Sequence, residues 1–525
     1  MKKFLVKYRF PLFFVTLVLS LCLFYGYLTI FQFTPRSTHQ WRQADSASLA
    51  LNYYQDGLDF FKPRMHHVMG GEGYVTGAGE APIFYYVVGL CYKVFGPYEG
   101  IFRLLSLLLF LFGLFLLAKI ISTEARDWFS PVILAGIIMG SPVIAFYSFN
   151  FTPNIPAQGL AMIGIWYFYL FYKNSLLKYF HWSMFFYILA GLTKISALMS
   201  FVVIFGLYFL DIAGLLKKIS GQRIFEKAWR FIPGFVMVLI ALFLWKIWAD
   251  YYNEMHHTKY FLSKTKPYWS LDTEMQAYVY KRIQEVWFPA YYHSYTFWGL
   301  GGIGALILLT PWLHKRILYL SFLALSIGCT AFFFLWYLQF EKHDYYVIEM
   351  VLLPVMILGM LFLFIKKYAP KLLSNWIFRI VLFAIIAFNA NYSKGILEHR
   401  YDQQSVFMSY FNPDLYKTKA LHAFLKNLGI QYPDKVVSAP DTSPNNTLYH
   451  YNLCGWTELY MGGQQMNAKK VKSYAKAGAK YLLIHDKKYL ENENLKEVLA
   501  YPMGDFNNSI FVFDIRTFSG VRSEE

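Results

Sequence analysis

Long apolar runs recur along most of this chain, separated by short connections that are often basic, and this pattern constrains the fold more than any single motif. A helix needs about 20 mostly apolar residues to cross the hydrocarbon core of a bilayer, where its backbone polar groups must pair internally. The candidate spans are Pro11–Phe31, Gly100–Ala118, Pro131–Phe149, Ile155–Tyr172, Phe180–Ile195, Ser196–Ile212, Phe231–Ala249, Phe297–Leu313, Ile317–Leu338, Tyr346–Ile365 and Trp376–Ala390. With 57% hydrophobic and 15% charged residues, the 525-residue chain reads as a polytopic membrane protein. The first run follows Lys2, Lys3, Lys7 and Arg9, as the core of a secretory signal would. It is long enough to span and no small-residue cleavage site follows, so it reads as a retained anchor.

Charge orients these spans. The formal net charge is +17, and much of the excess sits in short loops beside apolar segments, where it sets topology rather than binding nucleic acid. The segment Ile83–Gly96 is ambiguous, being only about four helical turns long. If it does not cross, Lys119, Arg126, Lys173, Lys178, Lys217, Lys218, Lys315, Arg316, Lys366 and Lys367 all fall on the inner side. That is the positive-inside pattern, and it predicts about eleven crossings with a cytoplasmic N-terminus and an extracytoplasmic C-terminus. The opposite face then carries 34–82, 150–154, 250–296 and 339–344. The four cysteines, Cys22, Cys91, Cys329 and Cys454, have no metal or disulfide spacing.

The chain changes character near Asn391. Residues 1–390 read as the membrane domain, with a large first outer loop at 34–82, and 391–525 as an extracytoplasmic α/β domain. In the latter, Pro413–Leu428 and Ala468–Ala477 read as helices stopped by Gly429 and Gly478. Lys435–Ala439, Lys480–His485 and Ser509–Asp514 read as strands.

The polar groups of the outer face are the candidates for chemistry, because such groups are costly beside a bilayer. The first loop holds Asp45 and Glu80 with Arg42, Lys62, Arg64, His66 and His67. Asn154 opens one span, Lys194 lies near the outer end of another, and Glu341-Lys342-His343-Asp344-Tyr345-Tyr346 precedes a third. Each has a plainer reading. Asp45 suits an N-cap for a helix over Ser46–Tyr54. Glu80 suits an ordinary loop acid. Lys194 suits an interfacial lysine that snorkels. Tyr345-Tyr346 suits an aromatic anchor. The pairs His66-His67 and His256-His257 lack the i, i+4 spacing of a helical metal site.

Taken in order, His39-Gln40-Trp41-Arg42-Gln43-Ala44-Asp45, Gly79-Glu80-Ala81-Pro82, Gly191-Leu192-Thr193-Lys194 and His343-Asp344-Tyr345-Tyr346 resemble bacterial protein-mannosyltransferase-like glycosyltransferases of family 39 within the GT-C superfamily. The resemblance spans roughly residues 10–365. It implies a helical GT-C membrane protein that moves a sugar from a polyprenyl-phosphate carrier to a glycan, lipid or protein acceptor at the outer face of the bacterial inner membrane, with inversion. It implies Asp45 as catalytic base and Glu80 as a second acid shaping the site. Asn154 stands where many relatives carry Asp. Ala81 stands where one branch carries a phosphate-binding Lys, so Arg42, Lys194, His343 and Tyr345 become the candidates for the donor phosphate. Asn154, Arg64 and His66 become candidates for meeting substrate.

The residue types suit that chemistry independently. Inverting transfer needs one carboxylate to take the acceptor proton, and cations to stabilise the departing phosphate. No nucleotide-binding glycine loop is present. No metal site is expected from spacing, although the sequence leaves a divalent ion open. The rival class is a transporter or flippase for a lipid-linked or anionic solute, which predicts charges in mid-span and internal repetition. A non-catalytic membrane scaffold is a third reading.

Overall fold

The computed structural model describes residues 2–68, 77–258, 265–402, 412–459 and 465–519. Residues 69–76 of the expected first loop lie outside the described residues. Among those described, six helices are long and apolar enough to cross a membrane: Glu99–Ala125, Ile195–Ile212, Ala228–Met255, Arg316–Leu335, Asp344–Tyr368 and Trp376–Tyr401. Shorter apolar helices are Tyr8–Phe24, Ile83–Phe95, Phe129–Met139 and Ser294–Leu309. The chain is a multi-pass membrane protein. Its residues form two compact units.

The first unit comprises Met1–Ile30, Arg103–Trp245 and Ser263–Glu398. Two of its helices, Glu99–Ala125 and Asn154–Asn174, meet backbone to backbone. A Cβ on Gly159 would stand 2.6 Å from the Leu109 carbonyl oxygen, and one on Gly113 2.6 Å from that of Gly159. Apolar lipid gives helices little reason to associate, so contact through small residues supplies the packing. Nearby, Phe171, Phe180, Phe225, Phe231 and Phe235 pack edge-on or tilted.

One expected span is corrected. Pro131–Phe149 is not one helix but two, Phe129–Met139 and Pro142–Tyr147. Ser141 between them is extended because a residue preceding proline is driven out of the helical region. The expected spans Phe180–Ile195 and Ser196–Ile212 are separated by a break, but Gly191–Thr193 are still helical. The helix Leu177–Thr193 stops, Lys194 is extended, and a 3-10 turn at Ile195–Leu198 leads into Met199–Ile212. The helix Trp376–Tyr401 continues past position 390.

The second unit comprises Phe31–Phe102, Lys246–Leu262 and His399–Glu525. It holds a five-stranded sheet of β1 (Lys435–Ala439), β2 (Cys454–Trp456), β3 (Tyr481–Ile484), β4 (Pro502–Phe506) and β5 (Ile510–Asp514). The order is β2-β1-β3-β5-β4. The first three strands are parallel, and β5 and β4 run antiparallel. The helix Thr418–Asn427 buries Leu421 and Leu425 in a core with Val436, Leu483 and Val512. The first loop joins this sheet at the β2 edge: Val68 N–H donates to Gly455 O at 2.6 Å, and Gly455 N–H to His66 O at 2.9 Å.

The same unit contains helices Gln40–Gln55 and Ile83–Phe95. The latter resolves the ambiguous segment as a helix of 13 residues, roughly 20 Å long and short for a crossing. Gly89 lets it lie against the former, since a Cβ there would be 2.8 Å from that of Tyr53.

Candidate active site

Asp45 lies inside the helix Gln40–Gln55, not at its N-cap, which corrects the helix start expected at Ser46. The run Gln40-Trp41-Arg42-Gln43-Ala44 consists mostly of strong helix formers. Its entry is fixed by Gln43, whose amide donates to the carbonyls of Arg36 and Thr38, both at 2.8 Å. His39 occupies the cap with φ 57°, without a side-chain capping bond. Asp45 is therefore placed by a rigid element, and it is only 1% exposed.

One helical turn before Asp45, Arg42 points at Glu80. Its Nη2 donates to both carboxylate oxygens, at 2.7 and 2.8 Å. The pair is largely shielded, each side chain being 16% exposed. A longer contact of 3.5 Å links Arg42 to the Tyr85 hydroxyl, to which Ser46 donates at 3.4 Å. The loop carrying Glu80 is anchored by Asn253. Its Oδ1 accepts from Ala78 N–H at 2.7 Å and its Nδ2 donates to Ala78 O at 2.8 Å. Thus Arg42 and Glu80 meet, and Asp45 follows on the same helix.

His66 and Arg64 lie toward the other end of that helix. Ser48 Oγ accepts from His66 N–H at 3.0 Å, and its hydroxyl lies 2.6 Å from Nδ1. Nε2 is 3.1 Å from Asn452 Oδ1, which also accepts from Gln55. These partners put the ring proton on Nε2, with Nδ1 accepting from Ser48. Burial pushes the His66 imidazole down to about 4, so it is neutral. Arg64 reaches Asp56 at 3.5 Å, while Asn52 donates to its carbonyl at 3.1 Å. Asp56 is 11 residues beyond Asp45, about 16 Å along a helix axis. His66 joins the first loop to the C-terminal segment, and Arg64 ties the loop to Asp56, which accepts from Tyr432.

The remaining candidates belong to the first unit. Asn154 is the first residue of the helix Asn154–Asn174. Its Nδ2 donates to Glu349 Oε1 at 2.6 Å, and Gln158, one turn on, donates to Oε2 at 2.8 Å. Two amides on one helix face thus clasp a fully buried carboxylate. Lys194 lies near enough for its charge to act on Glu349. An aspartate at 154 would set two carboxylates against each other, so an amide suits this position. The His343 and Tyr345 rings lie tilted at 5.2 Å between centroids, and Tyr345 meets the Tyr147 ring edge-on at 6.0 Å. Tyr147 donates its hydroxyl to Asp344.

Sequence reasoning missed Glu349, Gln158, Tyr147 and Arg103. Arg103 is fully buried, donating to Phe149 O at 2.8 Å with its guanidinium 4.3 Å from the Phe151 ring centre. An acid and an arginine inside apolar stretches are signals in themselves. Among the described residues, no group of three or more His, Cys, Asp and Glu side chains is arranged to hold a metal.

No protein-family model matches the sequence, and no curated protein matches it. Solved structures do. ArnT from Cupriavidus metallidurans in the apo state matches with a TM-score of 0.59 at 12% identity, over 98% of this chain and 99% of that one. ArnT from the same organism bound to undecaprenyl phosphate matches with a TM-score of 0.59 at 11% identity, over 97% and 99%. This chain therefore shares the fold of these ArnT structures, with apolar helices long enough to cross a membrane and a small C-terminal sheet.

Proposed function

We propose that this protein is an integral membrane glycosyltransferase that takes its sugar from a polyprenyl-phosphate carrier and passes it to a glycan, lipid or protein acceptor at the outer face of the bacterial inner membrane. The observation that carries this reading is the buried carboxylate of Asp45, held one turn after the Arg42–Glu80 pair. The shared fold supports it, since a solved ArnT structure binds undecaprenyl phosphate.

In this reading the acceptor hydroxyl gives its proton to Asp45 as its oxygen attacks the anomeric carbon. The bond from that carbon to the carrier phosphate breaks, the phosphate leaves with the electron pair, and the configuration inverts. Glu80 orients Arg42. Arg42, Lys194 and His343 are the candidates for the carrier phosphate, where positive charge would stabilise the leaving anion. Glu349, clasped by Asn154 and Gln158, lies near Lys194, and Tyr345 packs beside His343. Asn154 acts through its bond to Glu349. His66 and Arg64 keep the first loop seated.

The test is transfer by purified protein in liposomes, with a panel of polyprenyl-phosphate sugars and acceptors. A glycosylated acceptor with inverted configuration is the expected product. Movement of the lipid-linked sugar across the bilayer with no transfer would establish the transporter reading instead.

A further inference from the structure

A cleft of about 280 Å³ opens among five helices of the first unit, and its walls are almost wholly aliphatic and aromatic. Ile121, Ile165, Phe168, Ile204, Leu325 and Met360 represent the helices and set its character. Its lining runs from Leu352 to Leu363 on one helix, about 16 Å of axis. An apolar cavity of this size beside a bilayer suits a single hydrocarbon chain.

The mouth is polar and charged. Glu124 accepts from Tyr169 at 2.9 Å and pairs with Lys173 at 2.7 Å and Lys315 at 3.0 Å. Two ammonium groups thus share one carboxylate, leaving an excess positive charge at the rim. Lys315 is 73% exposed and Lys173 43%, so both remain accessible to a further anion. Lys119, Arg316, Lys366 and Lys367 occupy the same ends of these helices. The rim is also far from the Asn154–Glu349 group. Tyr169 is 15 residues from Asn154 on one helix, about 22 Å away.

We infer that this cleft binds an anionic phospholipid of the leaflet on the basic-loop side, with one acyl chain among the helices and its phosphate on Lys173 and Lys315. The chemistry is an apolar slot ending in a cationic rim, which matches an acyl chain carrying an anionic headgroup. The inference goes beyond the glycosyltransferase reading and stands whether or not that reading holds.

The test is native mass spectrometry of the full chain with phosphatidylglycerol, phosphatidylcholine of the same chains, or a polyprenyl phosphate. Melting temperature is measured in parallel. One phosphatidylglycerol per chain is expected to survive detergent removal and to be preferred over phosphatidylcholine by about tenfold. It is also expected to raise the melting temperature. Val203→Trp and Leu318→Trp, which fill the cleft, abolish both effects. Lys173→Gln with Lys315→Gln retains a lipid but reduces the headgroup preference to about twofold or less. This rim variant decides the matter if both tryptophan variants fold poorly. Absence of retained lipid, equal binding of both phospholipids, or preference for the polyprenyl phosphate would overturn the inference. So would retention of the preference in the rim variant, or unchanged binding in both well-folded tryptophan variants.

Discussion

Glu349 shows how one side chain can organise a buried polar group. Its carboxylate offers acceptors only, and the Asn154 and Gln158 amides supply donors from a single helix face. Changing Glu349→Gln replaces one acceptor oxygen with a donor, so one amide faces another amide across the bond. Leaving a buried donor unpaired costs about 1–3 kcal/mol. Adding Asn154→Asp restores a donor–acceptor match at that contact. A double-mutant cycle read by thermal unfolding is therefore expected to give a favourable coupling of about 1 kcal/mol or more. Strict additivity would contradict it. The sequence could not display this arrangement. Asn154 was visible as a polar residue at a span start, but Gln158 and Glu349 sit within apolar runs, and nothing local pairs residues 191 positions apart. Asp45, Arg42 and Glu80 were legible because they cluster in a polar loop. Even there the sequence suggests a cap for Asp45, whereas the helix formers of 40–44 carry the helix back to Gln40.

At the scale of elements, hydrophobic runs identified the membrane helices because their signal is long. Shorter devices were harder to read. Gly140-Ser141-Pro142 breaks an otherwise continuous apolar run. The strand β2 has only three residues, Cys454-Gly455-Trp456, too few for a period. The strand β4 was missed although Asn507 and Asn508 sit at φ 54° and 52°, the left-handed pair that a tight hairpin turn requires. The edge contact of residues 66–68 on β2 is a pairing between distant segments, and no local pattern announces it. It depends on Gly455, where a Cβ would lie 1.8 Å from the Val436 carbonyl oxygen. Gly455→Ala is expected to shift that edge and destabilise the second unit by roughly 1–3 kcal/mol. Hydrogen exchange should show the amide of Val68 losing protection before those of β3. Unchanged protection at Val68 would contradict the edge role.

For the molecule as a whole, acid stability is a direct consequence of its buried histidines. Burial holds His66, His450 and His485 down to about 4 and His67 to about 3, each below the ordinary 6.5. The unfolded chain binds these protons first as pH falls, so stability contributed by the neutral rings is present above 6.5 and lost on acidification toward 4. Asp441 opposes this. Burial raises its carboxyl to about 6, so its contribution is present below 3.8 and fades as pH rises to 6. Glu458, which burial also raises, acts in the same direction as Asp441, and the four histidines outnumber the pair, so the expected slope is positive. Melting temperature followed from pH 4.5 to 6.5 should rise, and a flat or falling curve would contradict this account. The same histidines explain why His66 was legible as a polar loop residue yet not as a buried junction: burial is a property of the folded chain.

The central claim concerns Asp45, and the most direct measurement is sugar transfer by Asp45→Asn in liposomes, compared with wild type at matched protein amount and melting temperature. The amide keeps the shape of the side chain and removes the proton acceptor, so turnover is expected to fall by about 10²–10⁴-fold while binding of the polyprenyl-phosphate donor persists. Turnover within a few-fold of wild type in a well-folded Asp45→Asn protein would contradict the account.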